Sequence, residues 1–206
     1  AFIDDDAYPH KNWLKNAVRL LKDSEIMAVG GPGITPKEDG YWQQVTGLIY
    51  QSYFCGGPTQ HRFIKAARQY VVDYPAYNLL VKTEALKKVG GYGSYFYGGE
   101  DTFLCLKIIQ KGWKILYDPE VVVFHHRRPL LLPYLKQIAN VGKHRGYFVR
   151  VFPKTSRHFY YFVPSLLALG LITGLLLLFF SQTVAKIYFL SLLCFLSVAF
   201  ASIVHK

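Results

Sequence analysis

The chain has 206 residues, 51% of them hydrophobic, and a formal net charge of +11. That is enough for one soluble domain with an apolar appendage, and too little for two full domains and an anchor. All 13 acidic residues lie at or before Glu120, so the positive surplus falls mainly between Arg127 and Arg157, directly before an apolar stretch. A basic block in that place points to a membrane surface or a phosphorylated ligand and away from nucleic acid.

In chain order, residues 1–3 read as a buried strand that runs into Asp4-Asp5-Asp6. Residues 9–22 carry apolar positions at helical spacing (Trp13, Leu14, Ala17, Val18, Leu21), with Pro9 near the start. Residues 26–29 form a short strand that ends in the turn-rich Gly30-Gly31-Pro32-Gly33. Residues 41–54 are expected to be helical, and 55–74 hold a basic patch of His61, Arg62, Lys65 and Arg68. A strand at 77–81, a short helix at 83–89, a Gly/Tyr loop at 90–99 and a helix at 100–111 follow. Strands at 113–117 and 121–124 close the series. Strands alternating with helices argue for an α/β domain.

Residues 130–152 interleave Leu130, Leu131, Leu132, Leu135, Ile138, Val141 and Phe148 with Lys136, Lys143, His144, Arg145 and Arg150. A helix of this mix can lie in a lipid headgroup layer or pack against a domain with its basic side solvated. Residues 160–180 and 187–204 are uncharged over 21 and 18 positions, close to the roughly 20 apolar residues a spanning helix needs. The short link between them predicts a transmembrane hairpin. The basic residues crowd before the first span and only Lys186 sits in the link, so residues 1–158 are expected on the cytoplasmic side of a multi-pass cell-membrane protein. The three cysteines show no metal-ligand spacing and fit reduced thiols. With no initiator Met and no signal peptide, the chain is expected to begin inside a domain.

Three places could carry chemistry. Adjacent carboxylates such as Asp4-Asp5-Asp6 stay ionised together most easily when a cation or solvent compensates them. Asp4 and Asp6 then suit Mg²⁺ or Mn²⁺ bridging to phosphates; the alternative is a solvated acidic loop or a helix cap. Gly98-Gly99-Glu100-Asp101 delivers two acids to the first turn of a helix, where one can act as general base or both can serve only as caps. His125-His126-Arg127-Arg128 follows a strand: a histidine there can ligate a metal and arginines can grip a diphosphate. The other reading is a solvated basic turn feeding the membrane interface.

Taken together, the stretches FIDDDAYPHKNWL and YNLLVKTEALKKVGGYGSYFYGGEDTFLCLKIIQKGWKILYDPEVVVFHH resemble the family 2 inverting glycosyltransferases of GT-A fold. The order of motifs and the gap of about 95 residues between the acidic sites agree with that family. The resemblance implies a partial GT-A (Rossmann-like) α/β domain over residues 1–129, a basic amphipathic juxtamembrane segment over 130–158, and two transmembrane helices within 159–206. It implies a divalent cation held by Asp4 and Asp6, with His125 completing the site and His126 as its substitute. Asp4 and Asp5, together with Arg127, Arg128 and Arg145, would face the nucleotide diphosphate. Asp101 would deprotonate the acceptor hydroxyl, and Glu100 would orient it or contact the acceptor. The donor would be a nucleotide sugar, the acceptor a glycan or lipid-linked species, and no protein nucleophile is required. The family's N-terminal half, with most base contacts, is expected to be missing. The Gln-X-X-Arg-Trp motif of processive synthases has no clear match in KQIANVGKHRGY, where Arg145 and Tyr147 come nearest. This weakens the alternative of a processive polysaccharide synthase. A further alternative is a non-catalytic membrane scaffold whose acids are structural.

Overall fold

The computed structural model describes residues 1–92, 99–177 and 179–204. Its elements, in chain order, are β1 (Ala7–Pro9), α1 (Trp13–Leu20), β2 (Ile26–Gly30), β3 (Gly33–Ile34), α2 (Tyr41–Gln51), α3 (Tyr53–Gly56), β4 (Gln69–Val71) and β5 (Leu79–Val81). They continue with α4 (Thr83–Lys88), α5 (Glu100–Gln110), β6 (Lys114–Tyr117), β7 (Val123–His125), α6 (Leu132–Val151), α7 (Pro153–Ser156), α8 (Val163–Leu177) and α9 (Gln182–Val204). Short 3-10 segments occupy Gly57–Arg62, Ala76–Asn78 and Phe159–Tyr161.

The main sheet has the order β4-β6-β2-β5, with β2 and β6 parallel and the outer pairings antiparallel. Alternation along each strand sends side chains to opposite faces. Ala28, Leu79, Val81, Ile115 and Tyr117 join Ala85 of α4 and Leu104, Cys105 and Ile108 of α5 on one face. Ile26, Val29, Leu80 and Leu116 meet Trp13 and Ala17 of α1 on the other. The result is a helix–sheet–helix sandwich, the α/β class expected from the alternating pattern. Gly112 (φ 78) closes α5 in the left-handed region and turns the chain directly into β6.

A smaller sheet, β1-β7-β3, stands beside the first. Three segments cross from one sheet to the other: residues 2–7, the Gly30–Gly33 stretch and the turn after Tyr117. Asn78 ties the last two crossings together, donating from Nδ2 to the carbonyls of Gly31 and Val121 at 2.6 and 2.7 Å. Its Oδ1 accepts from Trp13 Nε1 at 2.7 Å. Gly31 lies so close to the Val121 carbonyl that a Cβ would overlap it. Asn78→Ala leaves these buried groups unpaired and is expected to destabilise the domain by about 3 kcal/mol, read as a lowered thermal midpoint.

The expected first strand is reduced to one residue. Phe2 makes a single antiparallel bridge to Leu79, and the aspartate triplet forms a turn between that bridge and β1. Asp4–Asp6 therefore join the two sheets, where they were expected simply to end one strand. The expected helix at 41–54 breaks at Ser52, whose backbone is extended, into α2 and α3. The basic patch is largely neutralised: Arg62 pairs with Asp73, Lys65 with Glu120 and Arg68 with the buried Asp118.

Helix α6 is preceded by Leu131, which holds φ at 77°, a left-handed backbone rare for a side chain of this size. Most of the helix is exposed, but Phe148 is buried against Gly99, where a Cβ would collide with its ring. Phe152, just past the helix, stacks on Phe103 of α5 at 4.8 Å between centroids and meets Phe148 edge-on. Phe148→Ala is expected to cost about 3–5 kcal/mol and to loosen α6 from α5, measurable by thermal unfolding in detergent.

At the C-terminus the expectation of two spans is met for one helix. Among the described residues α9, with 23 residues, is the helix long and apolar enough to cross a membrane. α8 has only 15 residues, roughly 22 Å at 1.5 Å per residue, short of a hydrocarbon core of about 30 Å. Pro164, next to its start, and the turn of residues 179–180 limit it; residue 178 lies outside the described residues. α8 and α9 pack closely where Gly174 admits the Tyr188 ring.

Candidate active site

The site forms where the two sheets meet. Ala7 of β1 pairs with His125 of β7, so the residue before β1 and the end of β7 are neighbours by register. The His126 N–H donates to the Asp6 carbonyl at 2.9 Å, and His125 Nε2 donates to Asp6 Oδ1 at 3.0 Å. Asp4 Oδ2 lies 4.0 Å from the same nitrogen. Ligand atoms of Asp4, Asp6 and His125 all fall within 4.8 Å of one another, which makes them a candidate cation site. The hydrogen bond from His125 holds Asp6 below the usual carboxylate range, while burial raises Asp4.

Two oxygens and a ring nitrogen suit Mn²⁺ or Mg²⁺ by chemistry, but the histidine carries a constraint. Arg127 Nη1 lies 3.3 Å from His125 Nδ1. A guanidinium can only donate, so Nδ1 accepts and the ring proton sits on Nε2, facing Asp6. A metal-ligating histidine normally donates its other nitrogen outward. The arrangement therefore fits cation binding by the two carboxylates, with His125 orienting Asp6. Ligation through His125 would require the proton to move to Nδ1 against Arg127.

The three basic residues after β7 separate into different roles. Arg127 was expected to grip a diphosphate; it is instead buried, donating to the Gly33 carbonyl and to Thr35 Oγ1 (3.2 Å) and lying 5.0 Å over the Phe63 ring. Each of its three nitrogens has a partner within the protein. Arg128 stays exposed with Nη2 3.3 Å from Asp6 Oδ2, free to meet an anion beside the carboxylates. His126 is bonded to Asp39, whose other oxygen accepts from the Arg127 N–H at 3.4 Å. That pins the loop after β3 to the site. Asp5 is exposed in the turn. Arg145, also expected at the diphosphate, pairs with Asp73 at 2.6 Å.

The second acid pair opens α5. Glu100 Oε2 accepts the Gly99 N–H at 2.8 Å; Gly98 lies outside the described residues. Asp101 Oδ1 accepts its neighbour Thr102 N–H at 2.6 Å, and Oδ2 accepts Ala76 N–H at 3.3 Å. Burial, and then the charge of Asp73, push Asp101 up to about 6. Asp4, Ala76 and Glu100 line one cleft of about 410 Å³ together with Phe2, Ile3 and Tyr92. The cleft thus links the candidate cation site to the residues around Asp101, which the linear order separates by more than 90 positions.

Sequence reasoning missed Asp73, Asp39, Thr35 and Asn78. None belongs to a recognisable motif; only an isolated Asn before an apolar strand and an Asp before Tyr74-Pro75 hinted at buried polar partners.

Comparison with known proteins gives the same picture from another side. The chain is 25% identical over 143 residues to the Pre-mycofactocin glycosyltransferase of Mycobacterium tuberculosis, which covers 69% of this chain and 30% of that protein. It is 23% identical over 150 residues to the Dolichyl N-acetyl-alpha-D-glucosaminyl phosphate 3-beta-D-2,3-diacetamido-2,3-dideoxy-beta-D-glucuronosyltransferase of Methanococcus voltae, covering 70% and 45%. To Glycosyltransferase AglE of Haloferax volcanii it is 22% identical over 150 residues, covering 69% and 44%. The chain thus spans less than half the length of these relatives. The profile described as Glycosyl transferase family group 2 matches residues 1–203, so the resemblance extends past the acidic motifs to the juxtamembrane helix and α9 alike, and the chain belongs to that family.

Proposed function

We propose that this chain is the acceptor-side part of a membrane-bound enzyme that transfers a sugar, with inversion, from a nucleotide-diphosphate sugar to a glycan or lipid-linked acceptor. The observation that carries the reading is the single cleft shared by Asp4 and Glu100, with Asp101 held at its edge through Ala76. Asp4 and Asp6 would hold a divalent cation, and Arg128 would supplement its charge at the diphosphate. The cation, when bound, supplies Lewis-acid neutralisation of the leaving diphosphate. Asp101 takes the proton of the acceptor hydroxyl. The hydroxyl oxygen forms the new bond to the anomeric carbon from the side opposite the breaking bond, whose electron pair leaves with the diphosphate. Glu100 lines the cleft beside the incoming hydroxyl.

A lipid-linked acceptor is supported by the Methanococcus voltae relative, whose name specifies a dolichyl phosphate sugar. It is also supported by α6, where exposed Leu132, Leu135 and Ile138 accompany Lys136 and Lys143. Such a face suits the headgroup layer. The concentration of Lys and Arg before α8 favours the cytoplasmic side for the catalytic domain. The test uses the full-length protein in membranes: release of nucleoside diphosphate from a panel of nucleotide sugars, with and without Mn²⁺ or Mg²⁺. No release from any donor in any metal would overturn the proposal.

The pH dependence has a defined sign. A general base works only when deprotonated, and Asp101 titrates at about 6. Transfer should therefore rise with pH through that region and fall about tenfold per pH unit well below it. A rate that stays flat from pH 7 down to 4.5 would exclude Asp101 as the base.

A further inference from the structure

Behind Asp101 lies a second carboxylate that the proposed chemistry does not use. Asp73 follows β4 and meets two arginines from distant parts of the chain. Arg62 Nη2, from the 3-10 segment, lies at 3.5 Å and Arg145 Nη2, from α6, at 2.6 Å; the three side chains are only 12–16% exposed. Arg62 also donates to the Asp73 carbonyl at 2.9 Å. Arg145 reaches Ser156 Oγ at 3.4 Å and lies 4.7 Å over the Tyr161 ring.

This cluster touches Asp101 from two sides. The Thr102 side chain, next in sequence to Asp101, is hydrogen-bonded to Asp73. Ala76, three residues past Asp73, donates its N–H to the Asp101 carboxylate. Among the described residues, the other titratable groups around Asp101 are Glu100 and Cys105 on its own helix, Tyr92 from the segment after α4, and Arg62. Of these, Asp73 opposes the charged form of Asp101 most strongly after burial, and Arg62 favours it. Stability alone is a weak reason for a buried ion cluster, since apolar replacements of similar volume often do as well.

We propose that Asp73 and Arg145 are positioning residues for Asp101: Asp73 fixes the orientation and proton affinity of its carboxylate, and Arg145 makes that setting depend on α6 being seated against α5. The inference rests on the reading of Asp101 as the base. When α6 is seated, Arg145 offsets much of the Asp73 charge. Lifting α6 would withdraw that guanidinium, leave Asp73 paired with Arg62 alone, and so raise the proton affinity of Asp101. The juxtamembrane helix thereby couples membrane seating to the catalytic base.

The experiment is the pH profile of kcat for the full-length enzyme in membranes, for wild type, Arg145→Gln, Arg145→Lys and Asp73→Asn. Arg145→Gln should move the acid limb upward by about half a pH unit or more, and Asp73→Asn should move it downward. Arg145→Lys, which keeps the charge, should stay near wild type. Opposite shifts would not come from simple loosening of the fold. An unmoved acid limb in Arg145→Gln or Asp73→Asn, or shifts in the same direction, overturns the proposal, and either variant that folds is decisive. Asp101→Asn separates this failure from failure of the underlying reading. An inactive Asp101→Asn with an unmoved limb in Arg145→Gln sinks only the coupling, whereas an active Asp101→Asn sinks both.

Discussion

Asp101→Asn in the full-length enzyme is expected to lower kcat by at least a factor of about 10²–10⁴, the range a positioned general base contributes, while leaving donor affinity near wild type. The amide keeps the shape of the carboxylate but cannot take a proton. Its single oxygen can still accept the Thr102 N–H, while the Ala76 N–H, which meets the other carboxylate oxygen, loses its acceptor. Loss of the negative charge also removes repulsion from Asp73, which offsets that lost hydrogen bond, so the variant should still fold. The raised value of Asp101 gives this its sign. The ionised form is disfavoured in the folded protein, so ionisation costs stability as pH rises through the unfolded and then the folded value, and the neutral amide avoids that cost. The checks are steady-state kinetics, nucleotide-sugar binding by calorimetry, and a thermal midpoint at pH 7. A donor-binding loss as large as the loss in kcat would remove Asp101 from the role of base.

Asp6→Asn should fail differently. Its carboxylate faces His125 and Arg128, and in the proposed site it shares the cation with Asp4. Removing the charge should weaken metal-dependent binding of a nucleoside diphosphate by a factor of about 10–100, the cost of about 1.4–2.7 kcal/mol. Metal-independent binding should change little. The readout is the diphosphate Kd measured across a Mn²⁺ titration. If Asp6→Asn and wild type respond to Mn²⁺ alike, the carboxylate pair is not the cation site. His125→Gln offers a companion measurement. If His125 only orients Asp6, as the proton on Nε2 implies, this variant should retain most of the metal response.

Separating these two failures matters because the proposal gives different work to two acid pairs, each of which places one member, Asp4 or Glu100, on the same cleft. One is solvent-facing, balanced by a histidine and an arginine. The other is partly buried, crowded by a further carboxylate. Paired titratable groups whose surroundings push them in opposite directions are a usual basis for dividing acid, base and charge-binding roles. Here Asp6 is lowered by His125 and Asp101 is raised by burial.

The sequence by itself determined the alternation of helices and strands, the positions of the three motifs and the apolar C-terminus. Each of these is written in local periodicity or in a run of one residue type. It placed Asp4, Asp6, His125 and Asp101 as the residues to watch. Tertiary structure decided what these residues face. Only the β1–β7 register brings Asp6 beside His125. Only the crossing between sheets turns the aspartate triplet from a strand end into a bridge. Arg127 and Arg145 look like free cations in the sequence, yet one is spent on Gly33, Thr35 and His125 and the other on Asp73. A guanidinium's partner is chosen by which carbonyls and carboxylates folding leaves unpaired nearby, and that choice runs across 72 residues for Arg145 and Asp73. The apolar length of residues 160–180 likewise suggested a full span, whereas the regular helix α8 covers 15 of these residues and the hydrogen bonding on either side of it continues as turns.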